Sequence, residues 1–253
     1  MQSFQSADGL RMAYQCWGEP SSFPPVVLHH GFVADANANW VATGVVEALL
    51  AAGHHVIAPD ARGHGRSEKP HDPSRYGEQR MAADLERLLE ALEIEQIDLA
   101  GYSMGAIVSL LFASSHGCVR RLVVGGVGSG VIECGGVDRR AVPNAEIIKA
   151  LQADDPTTCS MPQAQAFRML ADALGADRQA LAAQATSVYR GEIPLERITA
   201  ATLILAGERD PLAVRPEVLA EAIAGAELRI LNGENIEVLG DPRFAQSIVE
   251  HFS

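Results

Sequence analysis

The segment GYSMG at residues 101–105 carries the strongest chemical signal in the chain. It lies between an apolar run at 97–101, which indicates a buried strand, and an apolar stretch at 106–114, which favours a helix. A serine between two glycines at such a turn has its hydroxyl group exposed above the N-terminus of the following helix. Free backbone N–H groups there favour developing negative charge. The pattern predicts that Ser103 is a catalytic nucleophile.

Short apolar runs alternate with amphipathic segments along most of the chain. The runs indicate strands at 26–28, 55–60, 97–101, 121–124, 201–206 and 227–231. The segments between them favour helices at about 40–52, 78–92, 106–114, 216–224 and 242–252. A hairpin with its turn at Asp8-Gly9 comes before them. This alternation predicts an α/β fold with a mostly parallel central sheet flanked by helices.

Residues 128–194 interrupt this alternation. They contain no convincing strand pattern, and helical patterns recur there, for example at 145–151 and 164–174. We therefore expect a core formed by residues 1–127 and 195–253, with a small helical cap at 128–194 inserted into it.

With GYSMG in this strand-to-helix setting, the chain resembles the α/β-hydrolase superfamily over essentially its whole length. His30-Gly31-Phe32 is similar to the family's oxyanion-loop motif, which implies an oxyanion hole formed by the backbone N–H groups of Phe32 and Met104. DARGHGRS at 60–67 also matches a family signature, one that is structural in role. Serine at position 103, between the two glycines of the turn, excludes the haloalkane dehalogenase and epoxide hydrolase branches, which use an aspartate nucleophile there.

The resemblance also implies where the catalytic acid lies. The segment AGERDPL at 206–212 follows an apolar run and is similar to the family's acid loop. Because the family order is serine, acid, histidine, Asp210 is the candidate that orients the base. Glu208 is a less favoured neighbour. The alternative is that Asp210 only caps the next segment.

The position of the base departs from the family pattern. The segment NGENIEVLGDPRF at 232–244 resembles the family's closing segment, but the family has histidine where this chain has Asn235. After Asp210 the sequence contains one histidine, His251, in the predicted terminal helix; among the others His30 is nearest to the site. An asparagine amide can form hydrogen bonds with both Asp210 and Ser103 but accepts no proton at neutral pH. The chain is therefore expected to be inactive or strongly impaired.

Two origins of Asn235 are open. One is a deliberate histidine-to-asparagine replacement that traps a ligand, which the intact pattern around Ser103 and Asp210 favours. The other is a natural, degenerate hydrolase that binds a ligand. The main functional hypothesis is a serine hydrolase that acts on a carboxylic ester, lactone or related acyl compound through an acyl-enzyme on Ser103. The alternatives are a non-catalytic small-molecule-binding protein, and lyase or cofactor-free oxygenase chemistry on the same fold.

Large apolar side chains near these segments are the candidates for substrate binding. We expect Phe32, Trp40, Phe167 and Leu170 to line a pocket for a mainly apolar acyl compound. The alternative for the cap residues is that they only pack the cap onto the core. No cofactor and no metal site is predicted.

The composition narrows the choice of partners and location. The 253 residues include 32 acidic and 20 basic side chains and carry a formal charge of −12, which argues against binding to nucleic acid or anionic membrane. The sequence has no signal-peptide pattern, no apolar run long enough to span a membrane, and four cysteines without paired spacing. We therefore expect a cytoplasmic protein. Its oligomeric state is left open.

Overall fold

The computed structural model describes residues 2–253, which form an eight-stranded sheet and ten α-helices, together with short π- and 3-10-helical turns. The strands are β1 Gln2–Gln5, β2 Arg11–Trp17, β3 Val26–His29, β4 Val56–Pro59, β5 Ile97–Tyr102, β6 Val119–Gly125, β7 Ala201–Gly207 and β8 Glu227–Leu231. The helices are α1 Val45–Ala51, α2 Glu78–Ala91, α3 Met104–Ala113, α4 Gly130–Glu133, α5 Asn144–Gln152, α6 Pro162–Ala173, α7 Arg178–Thr186, α8 Pro216–Ala222, α9 Asn235–Leu239 and α10 Pro242–Phe252.

The sheet is mostly parallel. Its strand order is β1-β2-β4-β3-β5-β6-β7-β8, and only the pairs β1–β2 and β2–β4 are antiparallel. The predicted fold class is confirmed. Because β3, β5 and β7 pair in parallel with their neighbours, their carboxyl ends meet at one edge of the sheet, where the candidate site residues follow them.

Both faces of strands β3 to β7 are largely buried, which explains the continuous apolar runs in the sequence, whereas the edge strands β1 and β8 are mostly exposed or half-buried. Successive residues of a strand point to opposite faces: Leu203 and Leu205 belong to the apolar cluster that includes α1 and α10, whereas Ile204 belongs to the cluster that includes α2, α3 and α8.

One predicted helix is divided in two. The pattern at 40–52 predicts a single helix, whereas the structure has a π-helical turn at Asn37–Val41 followed by α1. Gly44 separates them with a φ of 78°, a left-handed conformation that glycine adopts without a steric penalty. The π-helical turn places Asn39 close to the end of β3, next to the candidate active site.

The helices α4 to α7 all lie between β6 and β7 in the chain. Residues of α5, α6 and α7 form an apolar cluster of their own, which reaches the rest of the molecule through Val33 and Leu212. The division into a core and a cap is consistent with this arrangement and stays a proposal. Among residues 2–253, no helix combines the length and apolar character needed to cross a membrane.

Candidate active site

Ser103 lies on a tight turn between β5 and α3. Its φ of 52° and ψ of −113° are rare for a residue other than glycine, and its N–H donates to the Gly125 carbonyl oxygen at 2.8 Å. A Cβ on Gly101 would lie 2.2 Å from the Gly105 carbonyl oxygen, and one on Gly105 would lie 2.0 Å from that of His29. The turn therefore requires both glycines, and it holds the serine side chain at the edge of the sheet.

The two predicted oxyanion donors lie on either side of this turn. Phe32 follows β3, and Met104 is the first residue of α3. Neither backbone N–H has an acceptor among residues 2–253. The loop that carries Phe32 is held by Asn39, whose Oδ1 accepts a hydrogen bond from the Gly31 N–H at 2.9 Å. Two free N–H groups beside a serine hydroxyl group are the arrangement that an acyl oxyanion requires.

Asp210 and Asn235 are in direct contact, although 25 residues separate them. The Asn235 Nδ2 donates to the Asp210 Oδ2 at 2.7 Å, and the other carboxyl oxygen accepts from the Leu212 N–H at 2.8 Å. Asp210 is 5% exposed. Its burial raises the pKa of the carboxyl group, and the hydrogen bond from Asn235 opposes that shift. An amide therefore occupies the position that the acid would orient.

The backbone around Asn235 is also fixed. Asn235 is the first residue of α9, and the Glu234 and Glu237 side chains form reciprocal hydrogen bonds around that helix start. The Tyr102 hydroxyl group donates to the Asn235 carbonyl oxygen, which ties α9 to the residue directly before the nucleophile.

Three buried histidines lie close to the loop that carries Phe32: His29, His30 and His64. Burial lowers the pKa values of His29 and His64 to about 3, and it also lowers that of His30. His30 donates from Nδ1 to the Gly31 carbonyl oxygen at 2.8 Å and accepts at Nε2 from the Ala61 N–H at 2.9 Å. Both of its ring nitrogens are occupied, so His30 is not free to act as the base.

Ser103 lies where two cavities meet. The inner cavity, together with its opening to solvent, has a volume of about 650 Å³, and its lining includes Glu78, Met104, Ile107, Ile147, Gln184 and Tyr189. The lining of the outer cavity includes Gly31, Asn39, Leu170, Leu174, Asn235 and Ile236. Residues that line both cavities are Phe32, Ser103, Val142, Phe167 and Leu212.

The predicted substrate-binding residues divide into two groups. Phe32 and Phe167 line both cavities, with their ring centroids 5.8 Å apart, and Leu170 lines the outer one. Trp40 lines neither cavity. Its side chain is fully buried in the apolar cluster between the sheet and α1. The structure therefore does not bring Trp40 to the site.

The sequence interpretation missed Asn39 and Glu78. No local pattern identifies Asn39, because its partner Gly31 comes close only once the π-helical turn has formed. Glu78 begins an amphipathic helix, where an acidic residue is ordinarily explained by the helix dipole. A buried glutamate is rare because of its charge, but burial is not visible in the sequence, so no sequence signal identified Glu78.

Comparison with known proteins identifies families and individual proteins that this chain resembles. A family model described as "alpha/beta hydrolase fold" matches residues 24–131. An epoxide hydrolase A of Mycobacterium tuberculosis is 39% identical over 101 residues, which are 40% of this chain and 30% of that protein. The chain matches about a third of the length of its curated relatives.

Solved structures match the whole chain. An esterase from Exiguobacterium antarcticum is 25% identical, with a TM-score of 0.79 over 99% of this chain and 98% of that one. A structure titled as an N-acyl homoserine lactone degrading enzyme is 26% identical, with a TM-score of 0.76 over the full length of both chains.

Proposed function

The chain belongs to the α/β-hydrolase superfamily, and we propose that it is a serine hydrolase scaffold for a carboxylic ester, lactone or related acyl compound, disabled by Asn235. The observation that carries the proposal is the hydrogen bond from Asn235 to Asp210, because the same carboxyl group could orient a general base at position 235. Similarity to solved structures titled as an esterase and as a lactone-degrading enzyme supports the substrate class.

The proposed reaction requires histidine at position 235. The imidazole takes the proton from the Ser103 hydroxyl group as its oxygen attacks the acyl carbon, and the backbone N–H groups of Phe32 and Met104 bind the oxyanion. The imidazolium then gives that proton to the leaving oxygen, and an acyl-enzyme remains. Water activated by the same imidazole hydrolyses it and releases the acid.

With Asn235 the same site binds the acyl substrate but does not convert it to product at an appreciable rate. The amide accepts no proton, so neither the attack nor the departure of the leaving group is assisted. Loss of the base in a serine hydrolase triad reduces kcat by roughly 10⁶, or about 8 kcal/mol. The second candidate function, a non-catalytic binding protein, is favoured by this same amide, because the amide supplies no proton acceptor while both cavities beside Ser103 are still present.

The first test is Asn235→His, measured beside the unaltered chain on a panel of p-nitrophenyl esters and lactones. We expect a gain of several orders of magnitude in kcat/KM, together with rapid labelling of Ser103 by a fluorophosphonate. Ser103→Ala in the same variant is the control and should remove both signals. A folded Asn235→His protein without activity on any substrate would contradict the hydrolase proposal and favour the binding function; oxygen uptake would instead indicate oxygenase chemistry.

A further inference from the structure

The two cavities beside Ser103 differ in the polar side chains that line them. Asn235 lines the outer cavity and is absent from the lining of the inner one, whereas Glu78 lines only the inner cavity. A general acid must reach the leaving oxygen to protonate it. With histidine at position 235 the leaving group would therefore lie in the outer cavity, and the acyl group in the inner one.

Glu78 places a carboxyl group in the wall of this inner cavity. It is the first residue of α2 and is 4% exposed. One of its oxygens accepts from the Tyr189 N–H at 2.5 Å, and the other accepts a long hydrogen bond of 3.3 Å from the Gln184 Nε2. A carboxylate has about four lone-pair sites, so the group is held in place and keeps the capacity to accept from a ligand.

Packing alone does not account for a carboxyl group at this position. The neighbouring wall of the inner cavity is apolar, with Met104, Ile107 and Ile147. Burial raises the pKa of the Glu78 carboxyl group, against the opposing effect of the Tyr189 N–H. An apolar side chain would fill the same wall without this desolvation cost, but it would leave the Tyr189 N–H without its acceptor. Within this apolar part of the wall, the carboxyl group is therefore a feature that favours a polar atom on the ligand.

The charges around the inner cavity select the kind of polar atom. Arg139 lines the cavity and attracts Glu78 electrostatically, so a ligand ammonium group would be repelled by the guanidinium. Asp138 also lines it, with its carboxylate held by Arg140 at 2.6 Å, and together with Glu78 it would repel a ligand carboxylate. A neutral hydroxyl group avoids both penalties and can donate to Glu78 in either protonation state of that residue.

We propose that Glu78 determines acyl specificity by binding a hydroxyl group on the acyl portion of the substrate, so that hydroxyacyl esters are the preferred substrate class. This inference rests on the proposed hydrolase function. The rest of the acyl group contacts the apolar wall, and the hydroxyl group donates to the carboxyl group of Glu78.

The test compares esters that differ only in the hydroxyl group. Ethyl 3-hydroxybutanoate and ethyl 6-hydroxyhexanoate are measured against their methoxy analogues and the unsubstituted esters, with the Asn235→His variant as enzyme. We expect at least one hydroxy ester to exceed its methoxy analogue in kcat/KM by roughly 10- to 100-fold, the range of a hydrogen bond to a carboxyl group. Absence of such a preference at both lengths overturns the inference.

Variants of Glu78 test its role directly. Adding Glu78→Leu to Asn235→His should reduce the hydroxy-to-methoxy ratio to about one, and Glu78→Gln, which keeps an acceptor oxygen, should give an intermediate ratio. Glu90→Leu, at an exposed position of the same helix, is the matched control and should leave the ratio unchanged. Circular dichroism checks that each variant is folded, and the ratio is taken within one protein, so partial loss of active enzyme does not alter it.

The outcomes separate the two proposals. A hydroxyl preference that persists in Glu78→Leu overturns the role of Glu78 while leaving the hydrolase proposal intact. Hydrolysis of the unsubstituted esters without any hydroxyl preference does the same. If the Asn235→His variant hydrolyses none of the esters or lactones, the proposed function fails and this inference fails with it.

Discussion

The nucleophile side and the residue-235 side of the site are built in different ways. On the nucleophile side, a strained turn, two glycines in contact with backbone, and backbone N–H groups form the proposed machinery between β3, β5 and α3. On the residue-235 side, proton transfer would depend on a single side chain, at the position that Asn235 occupies at the start of a five-residue helix. A change at residue 235 can therefore remove proton transfer and leave the fold and the oxyanion donors as they are.

Protonatable groups are also distributed unevenly between the two sides. The nucleophile side has His29, His30 and His64, all buried, with pKa values lowered by that burial. The opposite side has Asp210 but an amide where proton transfer would be needed. A histidine near Ser103 is therefore not by itself expected to serve as the base, because the ring must be free to gain and lose a proton.

The sharpest test of this comparison is Asp210→Asn in two backgrounds. With histidine at position 235, we expect kcat to fall by roughly 10⁴, or about 5.5 kcal/mol, because the imidazole loses its orienting carboxylate. With Asn235 present the same change should have little effect on the residual rate, since no proton passes through residue 235. The measurement is kcat for the best ester found with the Asn235→His variant.

The exposed neighbour Glu208 provides the matched control, because Glu208→Gln removes an acidic group from the same loop. It should leave kcat within about threefold in both backgrounds. An equal loss from Asp210→Asn with histidine and with Asn235 would mean that Asp210 acts on the fold and not through residue 235.

A second prediction concerns the backbone on the nucleophile side. Gly105→Ala would place a Cβ 2.0 Å from the His29 carbonyl oxygen, so β3 and α3 must separate. We expect a loss of about 3 kcal/mol or more in the free energy of unfolding, measured by urea titration. Gly117→Ala is the control, because a Cβ there meets no atom within 4 Å; its effect should stay within about 0.5 kcal/mol. A stable Gly105→Ala protein would show that the turn is not rigid.

A pH-dependent effect is expected from the buried histidines. With a pKa of about 3, His64 stays neutral in the folded protein while the unfolded chain takes up a proton below about pH 6.5. Stability is therefore lost as the pH falls from about 6.5 towards 3, at about 1.4 kcal/mol per pH unit from this residue. Urea titrations between pH 4 and 7 should show a shallower loss for His64→Gln. The exposed His71→Gln is the control for loss of a histidine, and equal slopes for both variants would contradict a neutral, buried His64.

Much of the nucleophile side could be predicted from the sequence because its determinants are local. GYSMG combines a strand end, a helix start and two glycines within a few residues, and Phe32 follows a buried strand directly. The order of apolar runs also predicted the α/β class, since buried parallel strands require apolar residues on both faces. The alternation did not predict the break at Gly44, because a hydrophobic period continues across it.

By itself, the sequence determined the α/β class and the candidates Ser103, Asp210 and Asn235, because strand and turn patterns are short-range and the resemblance extends along the chain. The tertiary structure alone decided which distant residues meet. In the folded protein Asn39 contacts Gly31, Trp40 is buried in the core, and Glu78 lines the cavity beside Ser103. These contacts depend on how helices pack on the sheet, and the hydrophobic period of a helix predicts that a face is buried but not which partner it meets.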